Sequence, residues 1–98
     1  MSITLQTILV QSPGASSTEI EDARVFLDVE NGDYLSLKGP GLALWESLPN
    51  PLSVDALLEL VSRRYGIDRE RCERDSMPFL EELLAAGLIR EASVEAAP

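Results

Sequence analysis

Apolar positions change period along the chain, from short alternating runs near the start to helical stripes further on. Between Arg24 and Glu30, Val25, Leu27 and Val29 take one parity while Phe26 takes the other, the period of two that marks a strand. Asn31-Gly32 follows, then a second extended run from Asp33 to Leu37. Asn-Gly between two extended segments favours a two-residue type I′ hairpin loop, because both central positions need positive φ. Such a loop predicts Glu30 facing Asp33 and Val29 facing Tyr34. It puts Val25, Leu27, Val29 and Tyr34 on one face, with Phe26, Leu35 and Leu37 on the other. Both faces are partly apolar, so the sheet is either covered twice or keeps one surface for a partner. Periodicity does not decide which face meets the core.

Upstream, Ser17 to Ile20 predicts a short extended segment. The first dozen residues carry Ile3, Leu5, Ile8, Leu9 and Val10 without clean alternation, and Ser12-Pro13-Gly14-Ala15-Ser16-Ser17 breaks the run. Residues 1–14 therefore read as a weakly specified arm or an extra strand.

Downstream, Lys38-Gly39-Pro40-Gly41 is expected to end the strand, and Leu44, Trp45 and Leu48 follow at helical spacing until Pro49-Asn50-Pro51. A second helix is better punctuated: Ser53 can cap it, Asp55 lies in its first turn, Arg63 and Arg64 in its last, and Gly66 offers a left-handed exit. Its apolar stripe is Val54, Leu57, Leu58 and Val61. Asp68 can cap a third helix with the stripe Cys72, Ser76, Phe79, Leu80 and Leu83, ending at Gly87. Pro78 interrupts that stripe and costs up to about 3 kcal/mol in a straight helix. The expectation is a bend near residues 74–78 or a restart at Ser76. The tail, residues 92–98, has almost nothing to bury and is expected to be disordered.

Composition narrows the function classes. Ninety-eight residues, 45% of them apolar, suit one domain with one modest core. No apolar run is long enough to span a bilayer and no secretion signal opens the chain, so a cytoplasmic protein with no membrane association is expected. Seventeen acidic residues against eight basic ones give a net charge of −9, which repels nucleic acid and anionic lipid. Arg63, Arg64, Arg69, Arg71 and Arg74 hold five of the eight basic residues, but Asp68, Glu70 and Glu73 interleave with them.

The chemistry for catalysis is missing. There is no histidine and a single cysteine, Cys72, so ordinary zinc sites, disulfides and a base-activated thiol are all excluded. Cys72 lies on an apolar stripe and reads as a core residue. No phosphate-binding glycine loop occurs, and no pair of carboxylates stands out for acid/base work. Neither enzymatic activity nor a metal or other cofactor is expected. Trp45 and Tyr34 can serve as core packing or as binding anchors, with packing favoured for Trp45.

Val25-Phe26-Leu27-Asp28, Gly32-Asp33-Tyr34-Leu35-Ser36-Leu37, Gly41, Trp45, Pro51-Leu52-Ser53-Val54 and Tyr65 then form an ordered set with Cys72, Asp75, Phe79-Leu80, Leu83 and Gly87-Leu88. In this order and spacing they resemble the PqqD family, the RiPP recognition elements, over roughly residues 17 to 91, close to the stand-alone members of lasso-peptide clusters. The resemblance implies an α+β, winged-helix-like fold in which a three-stranded antiparallel sheet is followed by three helices, residues 15–91 forming the peptide-binding domain. It also implies that the leader of a ribosomally made precursor peptide adds as an antiparallel strand beside Asp33, Tyr34, Leu35, Ser36, Leu37 and Lys38, with its side chains against the third helix.

On that helix Phe79 and Leu83, with Leu35 and Leu37, are implied pocket walls, and Asp75 and Glu82 implied partners for polar or basic leader residues. The chain departs from the family at Lys38, where Asn is common, at Ser76, where an aliphatic residue is usual, and at Pro78. The implied partners are a leader peptidase and an ATP-dependent cyclase of lasso-peptide maturation, or alternatively a radical-SAM peptide-modifying enzyme. A winged-helix DNA-binding protein shares the architecture but needs a basic recognition helix, and here that helix carries Asp75, Glu81 and Glu82.

Overall fold

The computed structural model describes residues 3–13, 17–28 and 33–92. The element order is β1 (Ile8–Gln11), β2 (Ser17–Ile20), β3 (Ala23–Asp28), β4 (Asp33–Leu37), α1 (Gly39–Glu46), β5 (Leu52–Ser53), α2 (Val54–Tyr65), α3 (Arg69–Ala85) and β6 (Ile89–Glu91). The strands form two sheets of three, ordered β2-β3-β4 and β5-β1-β6. The first is the expected antiparallel sheet, and three helices follow it, so the α+β architecture stands with a second small sheet added.

That second sheet gives the N-terminal segment a defined place. Strand β1 pairs antiparallel with β5 through Ile8 and Ser53, and with β6 through Leu9 and Glu91. Leu9 is fully buried. The carbonyls of Leu5 and Thr7 accept from the amides of Asp55 and Val54 at 3.0 and 2.9 Å, which satisfies two first-turn donors of α2 that a helix leaves free. At the other end, the Ala92 amide donates to the Ile8 carbonyl at 2.9 Å, so Ala92 is tied into the sheet. Residues 93–98, expected to be disordered, lie outside the described residues.

In the main sheet the hairpin register differs from the expected one. Tyr34 faces Leu27, not Val29, and Asp33 faces Asp28, not Glu30, so four residues rather than two separate the last observed pair. The turn, residues 29–32, lies outside the described residues. A slip of two preserves parity, so the faces stay as expected. Phe26 and Leu37 face the core at 2% and 1% exposure, whereas Leu27 and Tyr34 face outward at 42% and 72%.

The core joins that inner face to the helices. Leu9, Leu44, Leu48, Leu57, Leu58, Leu80 and Leu83 are all 2% exposed or less. Trp45 packs edge-on against Phe26, with ring centroids 4.9 Å apart, and its Nε1–H donates to the Leu88 carbonyl at 3.3 Å. It is a packing residue.

Helix ends follow the expected chemistry where a side chain or a glycine sets them. The Ser53 hydroxyl accepts from the Ala56 amide at 3.1 Å, Asp68 accepts from the Arg71 amide at 3.3 Å, and Gly66 takes φ 64°. Two boundaries differ. The Gly39-Pro40-Gly41 run does not precede α1 but forms its first turn, where proline's missing N–H costs nothing. Helix α3 runs unbroken through Pro78 and does not restart at Ser76. Pro78 and Arg74 are both exposed, so water can serve the Arg74 carbonyl that the ring leaves without a helical donor.

Because β1 is the middle strand of its sheet, Leu9→Ala should remove about 2–5 kcal/mol of stability. Urea unfolding at unchanged m-value measures it, and a loss below about 0.5 kcal/mol would show that this segment does not carry the core.

A strand edge beside a groove along α3

Strand β4 pairs only with β3 among the described residues, so its other edge presents free backbone N–H and C=O groups. The chain's own β1 does not cover that edge, because β5 and β6 flank it in the other sheet. Past Leu37 the backbone passes through Lys38, the extended N-cap of α1, into Gly39 and Pro40.

At Pro40 a groove opens between the start of α1 and the first half of α3, with a volume of about 530 Å³. That lies within the roughly 300–1,000 Å³ of ordinary ligand pockets. Leu44, Ile67, Cys72 and Phe79 supply much of its apolar wall, and Asp68, Arg71, Asp75 and Ser76 its polar one. Gly41 sets its width, since a Cβ there would stand 3.1 Å from Phe79 Cζ. Further along, Leu35 and Ala86 border a second small cavity of about 40 Å³ with Phe26, Leu27 and Leu88. Helix α3 thus runs antiparallel to the β4–α1 trace, Phe79 beside Gly41 and Ala86 beside Leu35.

The residues expected at the site separate into several groups. Asp33, Tyr34, Leu35, Ser36 and Leu37 form the edge strand through their backbone, and the Asp33 side chain lies outside the described residues. Lys38 is exposed and stands just past the strand. Tyr34 points to the outer sheet face, where it lines a shallow pocket with Ser17, Thr18, Val25 and Leu27. Asp75 and Phe79 do line the groove. Glu82 is exposed on α3 but outside the groove lining.

Leu37 and Leu83, implied as pocket walls, lie outside the groove lining and in the core, at 1% and 0% exposure. Leu37 shares the inner sheet face with Phe26, and Leu83 belongs to the same buried cluster. Groove residues that sequence reasoning missed are Pro40, Gly41, Leu44, Ile67, Asp68 and Arg71. The only signal for them was a glycine followed by an apolar helix.

The arginine cluster is largely spent on internal pairs. Arg69 contacts Asp55, Glu59 and Glu73, Arg63 pairs with Glu59 at 2.9 Å, and Arg71 pairs with Asp75 at 3.6 Å. Such exposed pairs add little stability, but they neutralise the field that a nucleic-acid surface needs.

With this geometry in view, comparison with known proteins assigns the family. The family model described as coenzyme PQQ synthesis protein D (PqqD) matches residues 24–89, and the chain belongs to that family. Among solved structures, TbiB1 in complex with the TbiA(beta) leader peptide superposes with a TM-score of 0.69. The two chains are 26% identical, and the match covers 86% of this chain and 98% of TbiB1. No curated protein sequence matches the chain.

Gly41→Ala should push the Phe79 ring into the groove while improving helix propensity, leaving stability within about 1 kcal/mol of the parent. Shifted Phe79 ring resonances with an unchanged melting curve are the expected result.

Proposed function

We propose that this chain is a peptide-recognition protein that captures the leader segment of a ribosomally made precursor peptide and presents it to separate enzymes. The observation that carries this reading is a β4 edge free among the described residues, leading through Lys38 to a groove along α3, in a fold similar to that of TbiB1 in complex with a leader peptide. Edge amides and carbonyls give a bound strand its affinity, and side-chain pockets beside the edge give selectivity. The net charge of −9 and the internally paired arginines favour a peptide over nucleic acid.

The protein acts by binding, and the chemistry belongs to its partners. The resemblance to the stand-alone lasso-peptide members of the family favours a leader peptidase and an ATP-dependent cyclase as those partners, acting in the cytoplasm. Captured segments lie antiparallel to β4, with Leu35, Asp75 and Phe79 beside them and Tyr34 and Ser36 on the outer face. Contacts of this size bury near or below about 1,200 Å² in total, so selectivity rests on a few anchors.

Titration of ¹⁵N-labelled protein with leader peptides of precursors encoded beside its gene should shift the amides of residues 33–38 and of α3 between Asp68 and Phe79. Saturable binding that leaves the β4 amides unmoved would overturn strand addition.

A further inference from the structure

Two serines are buried in the helices, and they are satisfied differently. Ser62, 6% exposed, donates its hydroxyl to the Glu59 carbonyl of its own helix at 3.1 Å. Ser76, 8% exposed, has a single hydrogen-bond partner for its hydroxyl among the described residues, the Cys72 sulfur at 3.8 Å. The Cys72 thiol itself reaches the Leu58 carbonyl at 3.7 Å. With the thiol proton directed there, the sulfur is left as a weak acceptor for the Ser76 O–H. In that arrangement the Ser76 oxygen takes no donor from the described residues, and Ser76 is among the residues that line the 530 Å³ groove.

Buried polar groups are nearly always paired, so a half-satisfied hydroxyl on a binding wall selects for what completes it. Leu44, Ile67, Cys72 and Phe79 give the same groove an apolar part, beside the polar Asp68, Arg71 and Asp75, with Pro40 at the entrance. A partner with an apolar body and a hydrogen-bond donor at its tip fits both conditions.

We infer that Ser76 is a specificity-determining residue, which accepts a hydrogen bond from a hydroxyl or amide carried on an apolar side chain of the captured peptide. This rests on the strand-addition reading, which also fixes where that side chain lies. Strand β4 runs from Asp33 to Leu37, and the chain then passes through Lys38 and Gly39 to Pro40 in the first turn of α1, at the groove. An antiparallel guest therefore enters the groove with the residue just N-terminal to its paired stretch. A wholly aliphatic residue at that position leaves the Ser76 oxygen dry and unpaired, and is disfavoured.

The test is a double-mutant cycle. Peptides are selected from a displayed library of random 20-residue sequences on the full chain. Selected binders are resynthesised with the polar head of the groove residue removed, Phe for Tyr or Val for Thr, and titrated against the parent and against Ser76→Ala. Ser76→Ala fills the same helix position with a good helix former, and its melting curve is recorded alongside.

Removing the head should weaken binding to the parent about three- to tenfold, the worth of one neutral hydrogen bond, and leave binding to Ser76→Ala unchanged. Binders that shift the 33–38 amides yet lose equal affinity on both proteins overturn the role of Ser76 alone. A selection that yields no binders, or binders that leave those amides unmoved, overturns strand capture and this inference with it.

Discussion

The pairing of β1 between β5 and β6 is the constraint on which the rest depends. An N-terminal strand in a small α+β domain has two places to go: onto the open edge of the main sheet, or elsewhere. Here Leu9 is driven into the core, and the carbonyls of Leu5 and Thr7 close the first turn of α2. Burial and hydrogen bonding together hold the segment in the second sheet. The edge of β4 is left free of β1 as a direct consequence, and among the described residues no strand covers it.

Around that edge the inner and outer faces of the main sheet divide the work. Phe26 and Leu37 lock the sheet to the helices, and Trp45 joins the same packing through its ring and its indole N–H. The outer face keeps Ile20, Leu27 and Tyr34 exposed. Burying Leu37 and Leu83 keeps β4 and α3 in fixed relation, so the groove between α1 and α3 is pre-formed. Pre-formation matters for a weak interface, because ordering a loose site consumes binding energy.

Much of this was legible in the sequence. Ser53, Asp68 and Gly66 act locally through one hydrogen bond or one dihedral angle, so their roles could be read without knowing the fold. The hairpin faces were also readable, even though the Asn-Gly rule misplaced the register, because a slip of two leaves parity intact. Strands β5 and β6 were not readable: two and three residues carry no period, and their pairing with β1 spans most of the chain.

The site was less legible for a related reason. Periodicity put Leu35 with Leu37 on one sheet face and Phe79 with Leu83 on one helix stripe, but only the placement of α1 and α3 in the fold separates groove wall from core. Within the groove's α1 wall, Gly41 leaves room for Phe79 through its missing side chain, and an absence of that kind has no signature in a hydropathy pattern.

The contact between Ala92 and Ile8 has a geometric consequence for how such a domain can be joined to others. Strands β1 and β6, the first and last of the described chain, are neighbours in the second sheet, and neither is β4. A covalent tether following β6 would therefore leave from the second sheet and not from the β4 edge.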